Sequence, residues 1–236
     1  MNGLTSSHSR PAQVGGGWSL IAAAVGFMAV FSWLAARFNY PDVLDGTASD
    51  VLPHLLELGA TGRAVWAVYA FLPMLLVPAG IGAYSSLREH APNAMRLATV
   101  FSVLTALTML LGLARWPTIH WSLAQAWTSA SPDARVVIAA VFDGLNMYLG
   151  NVIGEFLGEV SLNLFFLLTA FALFRAGRRR TAYAGWGAGA IGLIAAFRNV
   201  TPAVSLIAEI DNYVLPLWLI VLGIVLLLRP APAGGR

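Results

Sequence analysis

The stretch GNVIGEFLGEVSLNLFFLLTAFALF, residues 150–174, decides the fold class. At about 1.5 Å per residue it is long enough to cross a hydrocarbon core of ~30 Å. Asn151, Glu155, Glu159 and Asn163 recur in it every four residues, which places them on one slowly rotating helical stripe. Gly150, Gly154 and Gly158 form a second stripe at the same interval, and small residues so spaced let a neighbouring helix approach closely. Polar and close-packing stripes on one apolar helix predict a membrane bundle with a polar interior, the neighbour being the helix that carries Arg198 or Arg115.

Composition points the same way. The chain has 236 residues, 58% hydrophobic and 11% charged, with a mean hydropathy of +0.73. A soluble domain carries about 25% charge to solvate its surface. An ordinary cytosolic enzyme, a disordered chain and a secreted disulfide scaffold are therefore excluded. The chain has no cysteine, which removes thiol catalysis, disulfides, thiolate-bound zinc and iron–sulfur clusters. All 14 basic residues are arginine. In a soluble protein their excess would point to nucleic acid; here topology accounts for it, and no nucleic-acid partner is expected.

Outward from the fourth span, which lies in Gly150–Phe174, five more apolar runs are legible: Trp18–Ala36, Ala64–Leu87 with Pro73 and Pro78, Leu97–Ala114, Ala182–Phe197 and Tyr213–Leu228. The expected fold class is all-α, a polytopic membrane bundle of six transmembrane helices. Its domain occupies residues 17–229, between a disordered Gly-rich N-terminus (1–16) and a short tail (230–236). The first run is too long for a signal-peptide core and reads as an uncleaved span. Outer interfacial helices are expected near 48–58 and 132–149. If Pro132–Leu149 continued into the fourth span, the helix would run ~65 Å, so its first half lies outside the hydrocarbon or breaks near Gly144–Gly150.

Nine arginines fall on the side of both termini and five on the other, which places the termini in the cytoplasm of a bacterial inner (plasma) membrane. The outer half holds ten of the 11 acids and is net negative by five. Counting from the cytoplasmic ends, Glu159 lies ~22 Å up and Arg198 ~24 Å, with Arg115, Glu155 and Asp211 nearer the outer boundary and Asn163 near the midplane. Each such charge costs roughly 2.5–3.5 kcal/mol facing lipid, so they are expected to face one another. The predicted result is an outward-opening pocket under Pro132–Leu149. It is lined by Arg115, Arg198, Glu155, Glu159 and Asn163, with Asp143, His120 and Asp211 near its mouth.

Other motifs carry less. Gly187-Ala188-Gly189-Ala190-Ile191-Gly192 matches G-x-G-x-x-G but lies inside an apolar span with no strand before it, so helix packing is the reading. No His-x3-His or Glu-x-x-His pair exists and no histidine sits inside a span, so neither a metal nor a haem, and no cofactor, is expected. Arg175 and Arg178–Arg180 set topology and meet anionic headgroups. Trp116, Trp121 and Trp127 read as interfacial anchors or as the lining of a hydrophobic entrance for a lipid.

Asn39-Tyr40-Pro41-Asp42-x-Leu44, the apolar helix 51–58, the proline-bearing second span, Arg115-Trp116 and Gly154-Glu155 together resemble a bacterial multi-pass family of unknown function. Many relatives carry a His after the span-four Glu, where this chain has Phe156. The resemblance implies the six-span architecture and interest in Arg115 and Glu155, and no reaction.

Three functions fit. The preferred one is binding, with or without transport, of a small polar or amphiphilic ligand from the outer side. Arg115 and Arg198 would hold an anionic head, while Glu155 and Glu159 hold a cation or neutralise the arginines. The second is an enzyme using Glu155 and Glu159 as a catalytic acid/base pair on a lipid or isoprenoid. The third is a structural or regulatory subunit whose Gly-rich faces pack on a partner protein or a second copy. Membrane lipids are partners in all three.

Overall fold

The computed structural model describes residues 9–228, apart from the side chains of Ser9, Leu44 and Asp45. The described chain is almost wholly helical: α1 (Ser9–Phe38), α2 (Ala48–Glu57), α3 (Gly59–Phe71), α4 (Leu76–Leu87), α5 (Pro92–Ala114), α6 (Trp121–Ser129), α7 (Pro132–Leu145), α8 (Gly158–Arg175), α9 (Arg179–Ala195) and α10 (Ser205–Leu227). Several run into one another. Five continuous stretches are long and apolar enough to cross a membrane: Arg10–Phe38, Gly59–Leu87, Pro92–Ser129, Pro132–Arg175 and Pro202–Leu227. This is a polytopic helical bundle. α9, at 17 residues, packs between α8 and α10.

The long helices form a closed ring in chain order, α1 against α4, α4 against α5, α5 against α8, α8 against α9, α9 against α10, and α10 back on α1. Leu20, Leu76, Phe165, Phe166, Trp218 and Leu222 fill its centre. Glycines set the spacing. A Cβ on Gly16 would lie 2.7 Å from the Gly82 Cα, and one on Gly17 would lie 2.9 Å from the Gly223 carbonyl oxygen. These early glycines are therefore packing contacts rather than part of a disordered leader. The expectation for 1–16 is corrected over 9–16, where α1 is already wound and Gln13 Nε2 donates to the Leu226 carbonyl at 2.7 Å. Residues 1–8 and the expected tail 230–236 lie outside the described residues.

At one end, α2, α6 and α7 form a cap over the bundle. Its core is aromatic: Phe38 lies edge-on to Trp66 and Trp116, which stack on each other at 4.8 Å. Trp116 is fully buried and Trp121 nearly so, which corrects their reading as exposed interfacial anchors. The ring edges find more apolar surface against one another than a single helix face could offer.

The expected alternative of a break near Gly144–Gly150 does not occur. α7 continues into α8 through a π-helical stretch, Asn146–Leu157, so the helix widens instead of stopping. A second π turn, Trp116–His120, joins α5 to α6. There the His120 N–H reaches the Arg115 carbonyl five residues back at 2.8 Å. Pro117 offers no N–H to an α-type ladder, which favours that wider turn.

α5 and the α7–α8 helix meet where Gly154 faces Gly112. A Cβ on Gly154 would sit 2.8 Å from the Gly112 Cα, and the reciprocal distance is 2.5 Å. Gly154→Val should therefore destabilise the protein by roughly 1–3 kcal/mol through overpacking. Gly187→Ala, at an exposed glycine with nothing within 4 Å, should leave stability unchanged or raise it. Thermal unfolding in detergent checks both.

Candidate functional site

Arg198 follows α9 in a short 3-10 turn, Ala196–Asn199. Its Nη1 donates to Glu159 Oε2 at 2.5 Å and its Nη2 to Glu159 Oε1 at 2.5 Å, a bidentate fork. The same Nη2 donates to Glu155 Oε2 at 3.2 Å. Glu155 lies in the last turn of the π stretch and Glu159 in the first turn of α8, so one guanidinium ties this helix to the end of α9. The Glu159 side chain is 13% exposed, Glu155 25% and Arg198 32%, so the cluster lies at the edge of the bundle rather than in its core.

Further polar groups surround it. Asp211 on α10 is buried, lies within electrostatic reach of Glu159 and Arg198, and makes no ion pair among the described residues. Arg115 is buried and interacts electrostatically with Glu155. Its hydrogen bonds go elsewhere, to the Gly112 carbonyl at 2.5 Å and to Asn146 Oδ1 at 3.1 and 3.3 Å. The guanidinium lies against Gly150, where a Cβ would come within 2.5 Å of Nη2. The glycine stripe thus faces α5 and Arg115, while Glu155 and Glu159 face Arg198. Asn163 donates Nδ2 to the Glu159 carbonyl at 2.8 Å, one turn into α8, and Gly192 leaves room for its amide.

Two groups from outside these helices complete the cluster. Tyr40, in the turn after α1, shares a hydrogen bond with Tyr69, and burial together with the Glu155 carboxylate pushes its phenol up to about 12. Asn39, Pro41 and Asp42 are turn-forming residues, and nothing in their pattern shows that the Tyr40 ring points inward to Tyr69 and Trp66. Nor does spacing alone reveal Asn146 and Gly150 as the seat of Arg115.

The expected pocket is corrected in several respects. His120 is fully buried between Trp116 and Phe142, with centroids at 4.8 and 4.7 Å, not at a mouth. Asp143 is exposed, and α7 packs on α2 and α6 rather than roofing the carboxylates. Asn151 meets Met147 Sδ at 4.0 Å, one turn back toward the cap, and makes no hydrogen bond to the cluster among the described residues. Two open cavities lie at the cap end. One of about 460 Å³ is lined by Arg63, Thr118, Ile119, Ser122 and Leu123, and one of about 400 Å³ by residues including Trp33, Arg37, His54 and Glu57. Neither is lined by Glu155, Glu159 or Arg198. Among the described residues, no three His, Asp or Glu side chains are grouped to hold a metal.

No family model, no curated protein and no solved structure matches the chain.

Arg198→Ala removes three charge-assisted hydrogen bonds and should lower stability by about 1.5–3 kcal/mol, whereas Asp143→Asn should change little. Tyr40 yields a pH prediction. A phenol held neutral in the fold and free to ionise when unfolded contributes stability below pH ~10 that is lost as pH rises toward ~12. The alkaline loss of stability over that window should be smaller in Tyr40→Phe, measured by unfolding at stepped pH.

Proposed function

We propose that the chain is a six-helix integral membrane protein of a bacterial inner membrane, with both termini cytoplasmic and α9 as the fifth span. We assign it binding, and transport, of a small cationic or cation-headed amphiphilic ligand from the outer side. The observation that carries this is the charge balance at Arg198. Glu155, Glu159 and the buried Asp211 surround one guanidinium, and Arg115 spends its hydrogen bonds on Gly112 and Asn146. The expectation that both arginines hold an anion fits this geometry poorly, because Arg198 is already gripped by two carboxylates. Two carboxylates share that one guanidinium and Asp211 lies within electrostatic reach, a set of oxygens that a cation would complete. The glycine contact with α5 fixes the rotation of the helix that carries Glu155 and Glu159.

The acid/base enzyme reading is the weaker alternative, since both candidate carboxylates are engaged by the same guanidinium and neither is held apart as a proton donor. A subunit role, with a partner protein or a second copy, draws support only from the exposed apolar faces that a membrane would equally cover.

Differential scanning fluorimetry of the detergent-purified protein should show stabilisation by at least one of sodium, choline or agmatine. The response should be lost in Glu155→Gln and in Asp211→Asn. Stabilisation by acetate or phosphate with no response to any cation would overturn the assignment.

A further inference from the structure

The groove of about 460 Å³ lies away from the carboxylate cluster, between the start of α3 and the π turn that joins α5 to α6. Its single charge is Arg63. The Arg63 Nε donates to the Pro117 carbonyl at 3.0 Å, and the guanidinium carbon lies 5.4 Å from the centroid of the Trp121 ring. One edge of the fork is thereby pinned and its plane held by the indole, while no carboxylate among the described residues forms an ion pair with it. A pre-positioned, unpaired guanidinium at the lip of a cavity is suited to an anion with two oxygens on one face.

The facing wall repeats a simple pattern. Thr118 and Ser122, four residues apart, put two hydroxyls on one side, and Ile119 and Leu123 put two apolar side chains beside them. Each hydroxyl donates to a backbone carbonyl, Thr118 to Ala114 at 2.5 Å and Ser122 to Thr118 at 3.2 Å, which leaves the oxygens free to accept and the side chains fixed. Ile119 is 40% exposed, and the helices that flank the groove continue with exposed apolar side chains, Val68 and Phe71 on α3 and Leu107 and Leu111 on α5. A charged head seat thus opens onto a greasy flank, near the start of the stretch Gly59–Leu87 and where α5 passes into α6 within the stretch Pro92–Ser129.

We propose that this groove binds phosphatidylglycerol, Arg63 taking two phosphodiester oxygens and the Thr118 and Ser122 oxygens accepting from the head-group glycerol hydroxyls, while the acyl chains lie along α3 and α5. Phosphate chemistry alone is also offered by free inorganic phosphate. The apolar flank is the feature that selects the lipid.

The test is native mass spectrometry of the full chain released from detergent after incubation with phosphatidylglycerol, with dioleoylglycerol, or with inorganic phosphate plus dioleoylglycerol. The wild type should retain phosphatidylglycerol, and Arg63→Gln should cut the bound fraction at least fivefold, with Arg63→Lys in between because it keeps the charge and loses the fork. Should Arg63→Gln fold poorly, Ser122→Phe, which fills the groove from an exposed position, should give the same loss. Equal retention of dioleoylglycerol, full retention by both Arg63→Gln and Ser122→Phe, or binding of inorganic phosphate that displaces the phospholipid would each overturn the proposal.

Discussion

The grip of two carboxylates on Arg198 is the constraint from which the rest of the molecule follows. A charge inside an apolar bundle is tolerated only when its partner is close and its hydrogen-bonding capacity is filled. Glu159 meets that requirement with a bidentate fork and Glu155 adds a third bond, so the rotation of α8 about its own axis is set. Once the carboxylates point to the end of α9, the adjoining glycine stripe must point to α5. That in turn lets Gly154 close on Gly112 and seats the Arg115 guanidinium against Gly150. One ionic contact, two glycines and a second arginine are links in a single geometric chain.

The π winding of Asn146–Leu157 belongs to that chain. Through it α7 runs on into α8 without a stop, so one continuous helix joins the cap to the carboxylates. π-helical turns are rare and frequent at functional sites, and here the π segment carries Glu155, a partner of Arg198, in its last turn. The cap above it is a second core, rich in aromatic rings, whose Tyr40 reaches toward Glu155 electrostatically. The site therefore lies near the junction of the bundle core and the aromatic cap.

Much of this was legible in the residues. The four-residue spacing of Gly150, Gly154 and Gly158 gave the close-packed face, and similar depths for Glu159 and Arg198 gave their proximity. The rest was not legible for physical reasons. Spacing puts residues on a face without naming their partners, so it did not show Asn151 turning to Met147 or Gly150 seating the Arg115 guanidinium. Gly16 and Gly17 look like linker in composition, yet glycine serves helix contact equally well. His120 and Trp116 look like boundary residues because the pattern between them does not reveal that α6 and α7 fold back to bury them.

An exchange of charge across the central contact tests the account most directly. Glu159→Arg and Arg198→Glu, each made alone, place like charges together and should leave little monodisperse protein on size-exclusion chromatography from detergent. Combined, they re-create an opposed pair with Glu155 beside Arg at 159, and a large share of the monodisperse peak should return. If the double variant is no better than either single one, or if both single variants purify as well as the unaltered chain, the two side chains do not hold this fold together.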